Sequence, residues 1–417
     1  MAANQIRSFK QSRGSVLIGT IIVMIGLGTI YTWSLFNQPL ADKYGWNVSA
    51  VATTFSILSF ALSFSTLSAS SLQKKLGIRG LLILTGAGMG MGLMISSFIS
   101  SLWVLYLFAG VLVGASNGIA YMTTLSNAIQ YFPEKKGLIS GIAVGSYGTG
   151  SLLFKYVLGF LMAHVGVTQS FLYWGVLVMM MIIGGAFLVK EAQAVVPVPG
   201  ATSNLQKDYS LKEMLRTKEA YLLFFVLFTA CMSGLYLIGS ATNIGVSLAG
   251  LNAAAAANAV ALVAIFNTTG RIVLGTASDH FERLKVIAVS LAVTAAAALV
   301  LSDMKLNFTL YFICVSSVAF CFGGNITIFP TIVSEFFGLK NQSRNYGIIY
   351  QGFGIGGLSV SFISGMLGGF APTFNFIALV CVLASIIALV LHVPGTKRIL
   401  LLRRRQEGRL LPVKVEK

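Results

Sequence analysis

The chain has 417 residues, of which 56% are apolar and only 10% are charged. Soluble domains carry about 25% charged residues, so this composition excludes a soluble globular protein. The formal net charge of +17 comes from 29 basic and 12 acidic side chains. Because 25 of the basic residues lie in the tails and in alternate connections between apolar segments, we expect them to flank a membrane rather than to bind nucleic acid.

Apolar segments recur along the chain, and each is long enough to cross about 30 Å of hydrocarbon as a helix. They predict an all-α membrane protein with twelve transmembrane helices. Their expected limits are residues 16–36, 49–71, 80–99, 102–130, 138–162, 168–189, 220–247, 253–276, 285–302, 307–334, 345–367 and 373–393. The first segment is too long for a cleaved signal peptide. The basic connections and tails predict that both termini are cytoplasmic.

An internal repeat relates the two halves of the chain. GIAVGSYGTGSL at 141–152 resembles GIIYQGFGIGGL at 347–358, an offset of 206 residues. Repeats in the same orientation predict two six-helix bundles, at 1–189 and 220–393. Between them, 190–219 contains two prolines and a charged stretch and is interpreted as a cytoplasmic linker. Residues 394–417 form a basic tail that we expect to lie against anionic lipid headgroups.

Glycines recur at every fourth position in two segments. Gly110, Gly114 and Gly118 lie in the fourth predicted helix, and Gly137, Gly141 and Gly145 lie in the fifth. This spacing lets helix backbones approach closely. Static packing and helices that slide during transport predict the same pattern.

The loop after the eighth predicted helix, GTASDHFER at 275–283, is similar to the G-x-x-x-D-[RK]-x-G-[RK] signature of the major facilitator superfamily. Gly275 allows close helix approach, and Arg283 ends the motif. Asp279 can accept hydrogen bonds from the N-terminus of a neighbouring helix, where the dipole favours an anion.

The corresponding loop in the first half is SSLQKKLGIR, at 70–79. Lys74 stands where the signature has its aspartate, whereas Gly77 and Arg79 are retained. We therefore expect the first half to have the weaker cytoplasmic latch.

Arg271 lies in the middle of an apolar segment, AIFNTTGRIVLG, and no Asp or Glu is predicted at membrane depth to neutralise it. Such a charge costs about 2.5–3.5 kcal/mol on insertion scales, so it usually faces a cavity and has a partner. We therefore expect a small anion from solution to bind here. Asn267, one turn earlier, shares this face and could orient the guanidinium or contact the substrate. The alternative is an Arg271 side chain that reaches the surface or binds free helix carbonyls.

Apart from Lys285 at the first position of the ninth predicted span, Lys155 is the only other Lys, Arg, Asp or Glu inside a predicted span. It lies about 27 Å along its helix from the cytoplasmic end, near the outer surface. There the side chain can simply extend to the headgroups. The functional alternative is an outer attraction point for anions.

Aromatic side chains inside the spans could shape a pocket around the anion. Tyrosine combines an apolar wall with one hydroxyl, which suits a small organic acid. The candidates are Tyr31, Trp33, Tyr121, Tyr147, Tyr236, Phe322 and Phe353. Tyr31 and Tyr236 are favoured because the repeat relates them, although most such residues only pack.

Catalysis and metal binding have no support in the sequence. The three histidines lie in loops or at a helix end, and no predicted span holds a Ser/His/Asp set or a pair of carboxylates. The four cysteines fall inside spans without metal-ligand spacing and are interpreted as small packing residues. We therefore predict neither an enzyme nor a cofactor.

Several stretches carry a resemblance to a known family. They include YTWSLFNQPLADKYG, YFPEKKGLISG, FNTTGRIVLGTASD and FPTIVSEFFGLKNQSRNYG. Over nearly its whole length the chain resembles the oxalate/formate antiporter family of the major facilitator superfamily, and within it the enterobacterial pyruvate transporters. The resemblance implies a multi-pass protein of the bacterial inner membrane.

The family's oxalate carrier holds its dianion between an Arg of the eighth span and a Lys of the eleventh. The Arg position matches Arg271, whereas the Lys position, counted from NYG, falls on Phe353. Tyr31 and Tyr121 match aromatic positions of the carrier's pocket. Phe322 and Ile326 replace larger aromatics there. The resemblance therefore implies a monocarboxylate such as pyruvate, lactate or formate.

These observations predict a monomeric secondary transporter that works by alternating access, as a proton symporter or an anion exchanger. One alternative is an oxalate:formate antiporter. Alternatives from other classes are a carboxylate sensor with a transporter fold and an anion channel. The half-chain repeat favours alternating access over both.

Overall fold

The computed structural model describes residues 2–98, 100–192 and 208–394. It is all-helical, with no strand in this part of the chain. The predicted fold class is therefore confirmed. The helices are α1 (Ala2–Gly28), α2 (Ser34–Tyr44), α3 (Val48–Ile95), α4 (Leu102–Leu105), α5 (Val113–Tyr131), α6 (Lys136–Val165), α7 (Val167–Leu188), α8 (Leu211–Met214), α9 (Lys218–Ala249), α10 (Ala253–His280), α11 (Arg283–Asp303), α12 (Phe308–Phe337), α13 (Gln342–Ile349), α14 (Gln351–Leu367) and α15 (Phe370–Val390).

Within the described ranges, ten helical stretches are long and apolar enough to cross a membrane. One of them, Thr53–Phe98, holds both the second and the third predicted spans. These two spans meet at a kink in α3, where Gly77 has a φ of +67° that favours glycine. α10 covers the eighth predicted span but is not among the ten.

Two predicted spans contain a short break in the α-helix. The first is broken at Thr29–Thr32, a 3-10 turn between α1 and α2. The eleventh is broken at Tyr350, between α13 and α14. Irregular backbone at membrane depth occurs where protein or a cavity covers it. Both interruptions therefore indicate where a site can lie.

Helices of the first half contact helices of the second half along two seams. In one seam α6 packs on α10 and α12, and in the other α3 packs on α13 and α14. The detailed contacts described below lie toward the end of the bundle that carries the connections 132–135, 281–282 and 338–341. We call this end the basic end, after Lys135, Arg283 and Lys340 beside these connections.

The two glycine stripes have different neighbours. A Cβ on Gly118 would lie 1.9 Å from the carbonyl oxygen of Leu62, so the first stripe packs α5 against α3 within one half. A Cβ on Gly137 would lie 2.5 Å from the carbonyl oxygen of Gly275, and one on Gly141 would lie 3.0 Å from that of Arg271. The second stripe therefore joins the two halves.

The predicted linker is described only at its two ends. Asn127 of α5 binds the carbonyl of Lys190 and the amide of Ala192, whereas the backbone of Tyr209 binds Phe337 and Asn345 of the second half. Residues 193–207 and most of the predicted basic tail lie outside the described residues. The division into two bundles and a linker remains a prediction.

The close crossing at Gly118 predicts a stability change. Gly118→Ala would overpack α5 against the backbone of α3, at a cost of about 1–3 kcal/mol. We expect a clearly lower midpoint of thermal unfolding for the purified protein in detergent. Gly159→Ala is the matched control, because a Cβ there meets nothing within 4 Å. Equal midpoints for the two variants would contradict the packing described.

Candidate anion-binding site

Arg271 is only 3% exposed, in the half of α10 nearer the basic end. Its Nη1 donates to the carbonyl oxygen of Val144 in α6, at 2.6 Å. A Cβ on Gly323 would lie 3.2 Å from Arg271 Cγ, and one on Gly148 would lie 3.7 Å from Nη1. The side chain therefore lies where α10, α6 and α12 meet, and Gly323 of α12 leaves room for its aliphatic part.

The guanidinium of Arg271 is incompletely satisfied. Its Nε is buried and has no hydrogen-bond partner. The ion pairs among the described residues join Arg13 to Glu134, Arg283 to Asp279 and Glu335, and Lys285 to Glu282, so none of them includes Arg271. The alternative interpretation of Arg271 was that it reaches the surface or binds helix carbonyls. The second part of that alternative is observed, since Nη1 binds the carbonyl of Val144. The Nε atom still lacks an acceptor, although buried polar groups are normally hydrogen-bonded.

Aromatic rings from both halves surround this region. The Tyr147 ring lies 5.3 Å from that of Tyr31 and 5.5 Å from that of Tyr121. The Tyr121 ring lies 5.5 Å from that of Tyr350 in the second half of the chain. Tyr350 in turn stacks on Phe353, with ring centroids 5.2 Å apart. We call these five residues the aromatic cluster. It brings together four of the residues singled out from the sequence.

Electrostatic contacts connect the cluster to Arg271. The guanidinium interacts with the hydroxyl of Tyr31 and lies within Coulombic range of Tyr121 and Tyr147. Tyr121, Tyr147 and Phe353 are almost fully buried, whereas Tyr31 is half-buried. The site therefore combines one cation with a largely apolar wall and a few hydroxyls.

Two members of the aromatic cluster lie at the helix interruptions, Tyr31 in the 3-10 turn and Tyr350 between α13 and α14. A Cβ on Gly28 would lie 1.7 Å from the carbonyl oxygen of Tyr147, so only glycine lets the end of α1 approach α6 this closely. The 3-10 turn that follows directs Tyr31 toward Tyr147. In the eleventh span, Ser63 Oγ donates to the carbonyl of Tyr350 at 3.3 Å, which provides a partner for the interrupted backbone.

Asn117 and Tyr350 are site residues that the sequence analysis missed. Asn117 accepts from the Tyr147 hydroxyl at 3.0 Å and donates to the carbonyl of Leu27 at 2.7 Å. An amide side chain inside an apolar segment was an available sequence signal for Asn117. For Tyr350 the signal was its position three residues before Phe353, within the internal repeat.

Other candidates from the sequence lie away from the ring cluster. Tyr236 bonds to Ser364 at 2.7 Å and packs on Phe374. Asn267 donates to the carbonyl of Ala319 and so joins α10 to α12.

Phe322 and Trp33 are packing contacts in the structure. A Cβ on Gly234 would lie 2.2 Å from the Phe322 ring, so Phe322 packs directly on α9. Trp33 packs with Phe36 and Phe171 inside the first half. The structure does not bring either residue to the aromatic cluster.

Residues of the loop signature join the two halves at the basic end. We call the contacts of Asp279 with the N-terminus of α6, together with Arg283 and Glu335, the latch. The two carboxylate oxygens of Asp279 accept from the backbone N–H groups of Gly137 and Leu138, at 2.9 and 2.8 Å. The expected bonds from Asp279 to a helix N-terminus are therefore present, and they join α10 to α6 across the seam. Arg283 binds Asp279 at 2.7 Å and also bonds to Glu335. Gly275 allows this approach, because a Cβ there would lie 3.1 Å from the Gly137 carbonyl oxygen.

The corresponding loop of the first half makes different contacts. Lys74 is exposed. Arg79 donates to the carbonyl of Phe187, at 3.3 Å, and lies over its ring. The seam between α3 and α14 is bridged instead by Gln351, which donates to the carbonyl of Ser63 at 2.8 Å. Only one seam therefore has a carboxylate bound to a helix N-terminus among the residues described.

Comparisons with known proteins agree with this architecture. The Major Facilitator Superfamily model matches residues 16–328 and 235–414. The chain is 44% identical over 351 residues to an uncharacterized MFS-type transporter, YhjX, of Escherichia coli strain K12, covering 84% of this chain and 87% of the relative. It is 28% identical over 383 residues to the oxalate:formate antiporter of Oxalobacter formigenes, covering 90% and 89%.

A solved structure shares the fold at low sequence identity. The proton:xylose symporter XylE superimposes with a TM-score of 0.72 at 12% identity, covering 90% of this chain and 95% of that chain. The family model and the relative at 44% identity confirm the expected superfamily. The chain belongs to the Major Facilitator Superfamily of membrane transporters.

Proposed function

We propose that this transporter carries small monocarboxylates, such as pyruvate, lactate or formate, and that Arg271 binds the carboxylate. The observation that carries the proposal is the unpartnered, buried Nε of Arg271. In a guanidinium, Nε and Nη2 lie on one edge and can donate two parallel hydrogen bonds to one carboxylate. Nη1 is occupied by Val144 and Nε lacks an acceptor, so we assign the Nε–Nη2 edge to the substrate.

The single cation at this site can balance the charge of only one carboxylate. Phe353 lies in the aromatic cluster, stacked on Tyr350, at the position where the resemblance implies a lysine. A second carboxylate beside these rings would be desolvated without a partner, which is costly. The relative from Oxalobacter formigenes is named for oxalate and formate, so small carboxylates suit this part of the superfamily. Phe353 favours the monoanion.

Transport would proceed by alternating access in a bacterial inner membrane, with both termini cytoplasmic. The seams between the halves at the basic end correspond to the cytoplasmic side of this proposal. Substrate bound to Arg271 would compensate its charge and allow the site to close. This requirement favours anion exchange or cotransport of the anion with a proton.

The first prediction of the proposed function concerns Arg271 itself. Arg271→Gln removes both the positive charge and the pair of parallel donors on the guanidinium edge. We therefore expect kcat/KM for pyruvate uptake into proteoliposomes to fall at least about 30-fold, equivalent to about 2 kcal/mol. Arg271→Lys retains the charge without the paired donors, so its pyruvate uptake should also be impaired. Undiminished uptake by Arg271→Gln would overturn the site.

The second prediction concerns substrate choice at Phe353. Phe353→Lys adds a second cation beside the aromatic cluster, so the ratio of oxalate to pyruvate transport should rise by about tenfold or more. Phe353→Met is the neutral control and should leave the ratio low. Rapid oxalate transport by the unmodified protein would contradict the argument from Phe353 and favour the oxalate:formate antiporter.

The third prediction concerns closure at the basic end. Asp279→Asn weakens charge-assisted bonds worth about 1.5–3 kcal/mol each, so the α6–α10 seam should open more often. Ser140, which is fully buried and donates to Thr327 across this seam, reports the opening. In the Ser140→Cys background, Asp279→Asn should increase thiol labelling from the basic side several-fold.

Lys74→Gln is the control for this latch. Lys74 occupies the equivalent loop position in the first half and is exposed. Labelling of Ser140→Cys should therefore be unaffected by Lys74→Gln. If both substitutions raised labelling equally, the latch would not be specific to Asp279.

A further inference from the structure

Lys155 is exposed on α6, and none of the ion pairs in the described part of the chain includes it. The sequence left two roles open for it, a side chain extending to lipid headgroups or an attraction point for anions. These roles require different faces of α6. The contacts of the helix decide which face Lys155 occupies.

Gly148 identifies the face of α6 that meets Arg271. A Cβ on Gly148 would lie 2.8 Å from Thr268 Oγ1 and 3.7 Å from Arg271 Nη1. Lys155 is seven residues further along the same continuous helix. Residues seven apart are two turns apart on one helix face, so Lys155 lies above Gly148 at about 10 Å along the axis.

The same stripe forms the crossing nearer the basic end. Gly137 and Gly141 precede Gly148 on this face, and both contact α10. Lys155 continues the stripe on the other side of Arg271, away from the basic end. Its exposure shows that the close helix contact does not extend that far.

The next residue marks a different face. Tyr156 lines an apolar groove on the outside of the bundle with Phe160 of α6 and Tyr173 and Met180 of α7. Adjacent helix positions differ in direction by about 100°. Lys155 is therefore turned away from this groove and toward the side of α6 that faces α10.

We propose that Lys155 is a capture site for the carboxylate on its way to Arg271, lining the approach between α6 and α10 from the end opposite the basic end. The inference rests on the proposed function and deepens it. A cation in an aqueous cleft raises the local concentration of anions and speeds their encounter with the binding site. Its effect falls with salt, because the Debye length shortens from about 30 Å at 0.01 M to about 3 Å at 1 M.

Thiol labelling tests where Lys155 lies. A membrane-impermeant thiosulfonate, added in intact cells from the side opposite the basic end, reacts with a thiolate in water and poorly with a thiol in hydrocarbon. We expect Lys155→Cys to react at least about tenfold faster than its neighbour Tyr156→Cys. Equal rates for the two variants would place Lys155 against lipid and overturn the proposal.

Transport kinetics test what Lys155 does. At about 0.01 M salt, Lys155→Gln should raise KM for pyruvate about fivefold with kcat unchanged, and the increase should vanish near 1 M salt. Lys155→Arg keeps the charge and should behave as the parent. Lys305→Gln removes another exposed charge at the same end of the bundle and should leave KM unchanged. A normal, salt-independent KM in Lys155→Gln would overturn the capture role.

These outcomes are separate from failure of the proposed function. If Arg271→Gln transported pyruvate normally, the carboxylate site would be misplaced whatever Lys155 did. If Arg271→Gln were inactive and Lys155→Gln had a normal KM at low salt, only the capture site would be wrong.

Discussion

The buried guanidinium of Arg271 is the interaction on which the rest of the site depends. Burial of a cation is costly unless its donors are satisfied and its charge is balanced. The helix carbonyl of Val144 satisfies one nitrogen, and no described carboxylate balances the charge. The glycines at 148 and 323 allow α6 and α12 to pack closely on α10 beside Arg271, because a Cβ at these positions would lie 2.8 Å from Thr268 Oγ1 and 2.1 Å from the carbonyl oxygen of Asn267. Under the proposed function, a substrate carboxylate would supply both the missing acceptor and the missing charge.

The two seams that join the halves beside this candidate site differ in their contacts. The α6–α10 seam combines a glycine stripe with Asp279, whose carboxylate interacts with the N-terminus of α6. The α3–α14 seam relies on Gln351 and Ser63, which form neutral hydrogen bonds beside the interrupted helix. Neutral bonds stabilise less than charge-assisted ones, by roughly a factor of two. The charge-assisted bonds therefore lie on the same helix pair as Arg271, and under the proposed function this would couple binding to closure.

Much of this architecture is predictable from the sequence, because apolar length and a half-chain repeat are local or periodic signals. The signature loop likewise predicts the bonds of Asp279. The helix interruptions are not predictable in this way, since they depend on distant partners such as Ser63, which binds the carbonyl of Tyr350. Repeat symmetry predicts that Tyr236 accompanies Tyr31. In the structure Tyr236 instead packs on Phe374, because α9 continues as an unbroken helix where the first span is interrupted.

The central claim is that the negative charge of a single carboxylate is what Arg271 recognises. Calorimetric titration of the purified protein with pyruvate and with pyruvamide, its uncharged isostere, isolates that charge at nearly constant shape. The account predicts saturable binding of pyruvate and at least about 30-fold weaker binding of pyruvamide, corresponding to about 2 kcal/mol. Equal affinities for the two compounds would show that the guanidinium does not bind the substrate's carboxylate, and would contradict the account.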